Sequence, residues 1–203
     1  MDLVATRTAL HGAAELLLAG PQYDVSDTVR LRVLPDGIAT RLAPDLRLVG
    51  SELIAPGGRT SLTGTFAEAA ARVGLVARRL DDVYSDGPGL TPDDRVEVDP
   101  THVSTVWAAL ASGDAALRAF APEHDPILWP EHFDVAITVD EVNYGVSPGD
   151  GFHPTPYAYV GPWTPRTGAF WNQPFGAARP LTSLPDATAV AEFFAEGRDR
   201  ASV

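Results

Sequence analysis

Residues 133–146 read FDVAITVDEVNYGV, and the apolar positions change parity within them. Phe133, Val135, Ile137 and Val139 alternate with polar or small residues, the period of a half-buried strand. Beyond Asp140-Glu141 the apolar set moves to Val142, Tyr144 and Val146. A single strand with that pattern would point half of its core residues at water, because successive side chains face opposite sides. The stretch therefore requires a bulge or a turn at Asp140-Glu141, and it marks the carboxyl-terminal part of the chain as antiparallel β structure.

Working outward, the loop SPGDGFHPTP (147–156) leads into a further strand at Tyr157–Trp163, with Tyr157, Tyr159 and Trp163 on one face and Ala158 and Val160 on the other. A closing helix is expected from about Asp186 to Glu196, burying Val190, Phe193 and Phe194 and stopped by Gly197. Upstream, Asp99 and Pro100 open a helix whose apolar stripe (Val103, Val106, Trp107, Leu110, Leu117, Phe120) reaches Pro122, with Gly113 expected to break it. At the amino terminus an amphipathic helix is expected over Leu3–Ala19 and ended by Gly20-Pro21. Strands follow at Thr28–Leu34 and Ile38–Leu42 around Pro35-Asp36-Gly37, then a meander at 46–49, 52–55 and 59–63. Thr65 and Glu68 stand at capping-box spacing before a short helix ending near Gly74.

These elements predict an α+β fold of antiparallel sheets flanked by helices, as one domain or two subdomains. The boundaries are 1–84 for the amino-terminal helix and meander, 85–100 for a Gly/Pro-rich acidic linker, and 101–203 for the helical segment, second sheet and closing helix.

Composition narrows the function. Cysteine is absent, which excludes disulfides, thiolate metal sites and Cys nucleophiles. All 15 basic residues are Arg, so lysine Schiff-base, P-loop and kinase chemistry are excluded, and no GxSxG elbow is present. A net charge of −12 repels nucleic acid and anionic membrane, and Arg30/Arg32 and Arg78/Arg79 are the visible basic clusters. No run reaches the 18 or so apolar residues of a spanning helix. Asp2, His11 and Glu15 interrupt the ALHGAAELLLAG stretch that superficially resembles a signal peptide. A cytoplasmic location is expected. His11 reads as a helix-boundary residue.

Two chemical constellations stand out. His132 and Asp134 share a strand face, and Asp150 and His153 lie in the loop beyond it. Two imidazoles and two carboxylates suit a divalent metal with nitrogen and oxygen ligands, and so a metal-assisted hydrolase. The plainer reading makes His132 a strand-end residue and Asp150 a turn former. The second constellation is aromatic: Phe152, Tyr157, Tyr159, Trp163, Phe170, Trp171 and Phe175. It could line a groove for a sugar, nucleobase or other planar ligand, with Glu141 and Asn143 placing hydrogen bonds and Tyr157, Trp163 and Trp171 as principal contacts. Core packing explains the same residues, since aromatics fit a pleated, half-buried surface. The leading expectation is a non-catalytic module that binds a small molecule or protein through 141–171, with a structural subunit of a larger complex as a third reading.

The stretches ALHGAAELLLAGPQYDVSDTVRLRV and LWPEHFDVAITVDEVNYGVSPGD, with PYAYVGPW, GAFWNQPFGAARPL and FFAEGRDR, resemble a group of uncharacterised actinobacterial proteins. The Arg-only basic set is what GC-rich codons produce. More loosely, the carboxyl-terminal third resembles a broader bacterial domain family of unknown function in which a Phe-Asp strand, a Gly-Asp turn and a Phe-Trp segment follow in order. Either likeness implies a shared fold and carries no catalytic residue or cofactor.

Overall fold

In the computed structural model, which describes residues 2–202, the first helix opens where the Asp2 carboxylate accepts the Ala5 N–H at 2.8 Å. It does not end at Gly20-Pro21. α1 (Leu3–Ala13) passes into a π-helical segment (Ala14–Ala19) and on into α2 (Gly20–Ser26). The wide turn absorbs the proline. Gly20 N–H reaches back to Glu15 O, and Pro21 has no N–H to offer the next carbonyl, that of Leu16. The backbone N–H of Arg78 fills the gap, donating to Leu16 O at 3.0 Å. That approach needs Gly20, because a Cβ there would collide with Arg78 O.

The chain forms two compact units, Met1–Ala108 with Leu128–Phe133, and Ala109–Ile127 with Asp134–Val203. In unit 1 the strands are β1 (Leu31–Leu34), β2 (Gly37–Thr40), β3 (Arg47–Val49), β4 (Glu52–Ala55), β5 (Gly58–Ser61) and β6 (Ile127–Trp129). They pair in the order β6-β1-β2-β3-β4-β5. The expected meander is present, and β6 extends it through the pair Leu31/Leu128. Leu10, Leu16, Leu17 and Leu18 from the first helical run, with Leu31, Ile38, Leu48 and Leu53 from the strands, are fully buried. Burying a side chain of this size contributes about 1.5–3 kcal/mol, so this layer dominates the unit's stability. Gln22 is buried as well, and its amide is fully engaged. Its nitrogen donates to Thr28 O and Arg30 O, and its oxygen accepts from the N–H groups of Arg41 and Leu42.

The short helix α3 (Phe66–Arg72) carries the complete capping box, Thr65 Oγ1 accepting from Glu68 N and Glu68 Oε2 from Thr65 N. Residues 85–100 are hydrogen-bonded into unit 1 rather than hanging between elements. Phe66 N–H donates to Asp94 O, Ala67 N–H to Pro92 O and Val96 N–H to Gly64 O. The division between the units falls further along, inside α4 (Pro100–Phe120).

Unit 2 contains β7 (Asp134–Val139), β8 (Val142–Ser147), β9 (Tyr157–Pro162) and β10 (Ala177–Pro180), paired antiparallel in the order β7-β8-β9-β10. The parity change resolves as a two-residue hairpin turn. Val139 faces Val142 across it, and Asp140 and Glu141 both hold positive φ, 49° and 62°. One sheet face carries Val135, Val146, Tyr144 and Val160 against the second half of α4 and against α5 (Ala187–Ala201). Phe120, Tyr144 and Phe194 form its aromatic centre, with centroids 4.7–5.9 Å apart.

Neither glycine expected to break or stop these helices does so. α4 runs unbroken through Gly113, where a Cβ would stand 2.6 Å from Val146 Cβ and 2.7 Å from Val135 Cγ1. α5 continues past Gly197, whose Cβ would stand 2.7–2.8 Å from the Val160 methyls. The low helix propensity of glycine, about 1 kcal/mol against alanine, is offset by the close seating of helix on strand. Gly113→Ala should therefore lower stability by about 1–2 kcal/mol, overpacking outweighing the propensity gain. Chemical denaturation beside the open-site control Gly151→Ala checks this, and a more stable Gly113→Ala protein would contradict the seating.

Candidate functional site

The β7–β8 hairpin end gathers three of the residues singled out as ligand contacts. Asn143 lies opposite Thr138 on β7 and Gly161 on β9. Its Oδ1 accepts from Thr138 Oγ1 at 2.8 Å and from the Trp163 indole N–H at 3.3 Å. Trp163 N–H donates to Glu141 O at 2.9 Å, so the indole is fixed at both backbone and ring. Yet Trp163 is 63% exposed. An oriented but uncovered indole costs ordering without the return of burial, a use better suited to contact than to packing.

Beside it a cavity of about 240 Å³ opens within unit 2, lined by Asp140, Glu141 and Tyr144 from the hairpin and by Arg198, Ala201 and Ser202 from the end of α5. Pro162, Thr164 and Arg166, on either side of Trp163, complete the wall together with Val142. The Arg166 guanidinium donates to Ala201 O. Arg198 lies over the Phe120 ring, 4.9 Å from its centroid. Burial pushes the Tyr144 phenol up to about 12, with Arg198 opposing and Asp140 reinforcing the shift. The phenol stays protonated. The turn itself is unusual: two-residue hairpin turns with both φ positive favour Asn-Gly or Asp-Gly, and a side chain in that region costs roughly 1–2 kcal/mol.

The other ligand and metal candidates lie elsewhere. On the second face of the unit 2 sheet, Asp134 and Ser147 pair across β7 and β8 in line with Tyr157, and Gly145 lies opposite Tyr159. Tyr159 passes its ring over Gly145, where a Cβ would sit 2.6 Å away, and its phenol donates to Asp134 Oδ2. The Tyr157 phenol donates to Asp150 Oδ2 at 2.6 Å. Burial, then the neighbouring carboxylates, raises both phenols. Asp150 Oδ1 accepts the N–H groups of Phe152 and His153 at 2.8 Å each, and His153 Nδ1 lies 2.9 Å from Thr155 O. Thus Asp134, Asp150 and His153 are engaged with tyrosines and loop backbone. His132 belongs to unit 1, where it is exposed. Among the described residues no group of three or more His, Asp or Glu is arranged to hold a metal. Trp171 meets Phe170 edge-on at 4.8 Å, and Phe170 packs on Phe193 of α5, so Trp171 belongs to that side of the unit.

Unit 1 holds a polar cluster that sequence reading did not anticipate. Glu15, in the π-helical segment, is 2% exposed and accepts the Tyr84 phenol at 2.9 Å. Gly87 presses on the same carboxylate, leaving no room for a Cβ. Burial raises the Glu15 carboxyl above its ordinary range, the Tyr84 bond opposing. The Tyr84 phenol is raised by burial and by Glu15, with a further contribution from Glu131, whose Oε2 is buried without a hydrogen bond. His11 is no boundary residue. It stacks on Phe133 at 5.1 Å and 8°, and its Nε2–H donates to Pro130 O at 2.6 Å. Burial lowers its pKa to about 4.

The sign of that shift sets a pH window. An unfolded histidine takes its proton near 6.5, the folded one near 4, so the stabilisation from neutral His11 is complete above 6.5 and is lost as pH falls towards 4. Glu15 acts oppositely, its contribution being full below the ordinary carboxylate range and lost as pH rises through its elevated pKa. Urea denaturation should show up to about 3 kcal/mol lost between pH 6.5 and 4, and His11→Gln, which keeps a donor for Pro130 O, should flatten that slope. Equal slopes in the two proteins would contradict the assignment.

Among the described residues no helix is long and apolar enough to cross a membrane. No family model, curated protein or solved structure matches the chain.

Proposed function

We propose that the protein is a non-catalytic small-molecule-binding module whose site is the cavity at the β7–β8 turn, with Trp163 at its lip. The observation that carries this reading is the turn itself. Asp140 and Glu141 sit in left-handed backbone geometry at the cavity edge, and strained residues concentrate where a ligand or switch uses them. Among the described residues neither carboxylate is hydrogen-bonded or ion-paired. The lining supplies charge and shape for orientation and contains no imidazole, which favours recognition over general acid-base chemistry.

A thermal-shift screen with free amino acids, monosaccharides and nucleobases tests the reading. At least one compound should raise the melting temperature, since a ligand at 100 times its Kd adds about 2.7 kcal/mol, and that shift should be lost in both Glu141→Gln and Trp163→Ala. Compounds that stabilise all three proteins alike, or none that stabilises the wild type, would defeat it.

A further inference from the structure

We infer that the cavity recognises a small zwitterion, a free α-amino acid with an aliphatic side chain, holding its ammonium at Asp140 and Glu141 and its carboxylate at Arg198. The inference rests on the binding role proposed for this site and adds the ligand's chemical class.

The charges carry the argument. Two carboxylates and two guanidiniums line the cavity, so it is formally neutral on a chain of net charge −12. One guanidinium is committed, because Arg166 caps the carbonyl end of α5 at Ala201. The other is not. Among the described residues Arg198 makes no ion pair within 4 Å, and its aliphatic neighbour, the Phe120 ring, aims the guanidinium without neutralising it. Asp140 and Glu141 are likewise unpaired. Opposite charges that share a cavity without closing on each other leave a gap for a molecule bearing both signs. A purely cationic ligand would meet Arg198, and a purely anionic one would meet two carboxylates.

Size and lining set the rest. Pockets for drug-sized molecules run from about 300 Å³ upward, so 240 Å³ fits a smaller metabolite. Val142, Pro162 and Ala201 supply an apolar wall for an aliphatic side chain, and a planar guanidinium matches a carboxylate with two parallel hydrogen bonds.

Isothermal titration of the full chain with L-leucine, N-acetyl-L-leucine and L-leucinamide tests the assignment. L-Leucine should bind at least about tenfold more tightly than either blocked form, a difference well resolved by this method. Arg198→Gln should weaken L-leucine by about tenfold or more while leaving L-leucinamide unchanged, since leucinamide has no carboxylate to lose. The Asp140→Asn/Glu141→Gln pair should weaken L-leucine and spare N-acetyl-L-leucine. Arg198→Lys, which keeps charge and stem, should recover part of the binding, and circular dichroism establishes that each variant is folded. Equal affinity for free and blocked leucine, or L-leucine binding indifferent to Arg198→Gln, overturns the inference. Silence with L-leucine alongside a Glu141-dependent response to a sugar or nucleobase overturns the ligand class but keeps the site, whereas silence across the whole screen overturns both.

Discussion

The close seating of helices on the β7–β10 strands in unit 2 is the constraint from which its other features follow. Gly113 and Gly197 let α4 and α5 approach Val135, Val146 and Val160 without an intervening side chain. With the helices so placed, Phe120 and Phe194 close on Tyr144, and the last turn of α5 brings Arg198, Ala201 and Ser202 over the hairpin end. A protein interior packs as densely as an organic crystal, so a helix displaced by one methyl group would carry its terminal residues away from the turn. Packing at two glycines thus positions charges several residues distant from either.

Much of this architecture is legible in the sequence, for reasons that can be named. The parity change at Asp140-Glu141 admits few solutions, and the hairpin turn is one of them. Thr65 and Glu68 report a local, self-contained geometry. The meander announces itself through Pro-Asp-Gly and Pro-Gly-Gly. Glycine and proline inside helices mislead, because the same residues that stop a helix also permit close contact, and only the neighbouring element decides which. Gly113, Gly197 and Gly20-Pro21 all fall on the contact side. β6 and β10 escaped notice because three or four residues are too few to display a period.

The candidate site is legible in part. Glu141, Asn143 and Trp163 stand out because they flank an irregular strand, and the fold brings them together. Arg198 and Tyr144 do not stand out. Arg198 lies beyond the point where Gly197 suggests the helix has ended, and Tyr144 reads as one more core aromatic. The Glu15–Tyr84 pair was invisible for a different reason: a hydrogen bond across 69 positions leaves no local trace. The carboxylates expected to attract a metal, Asp134 and Asp150, illustrate the reverse, since phenols from Tyr159 and Tyr157 satisfy the same oxygens.

The widened turn at Ala14–Ala19 amounts to one surplus residue in an otherwise ordinary helix. Removing a single residue there would restore regular winding but rotate everything downstream by about 100° relative to what precedes it. Leu10 and Gln22 could then no longer face inward together, and the four backbone partners of the Gln22 amide would be left facing another side chain. Length in this segment is therefore far less negotiable than identity: conservative exchanges among its leucines preserve the phase, whereas a one-codon deletion destroys it.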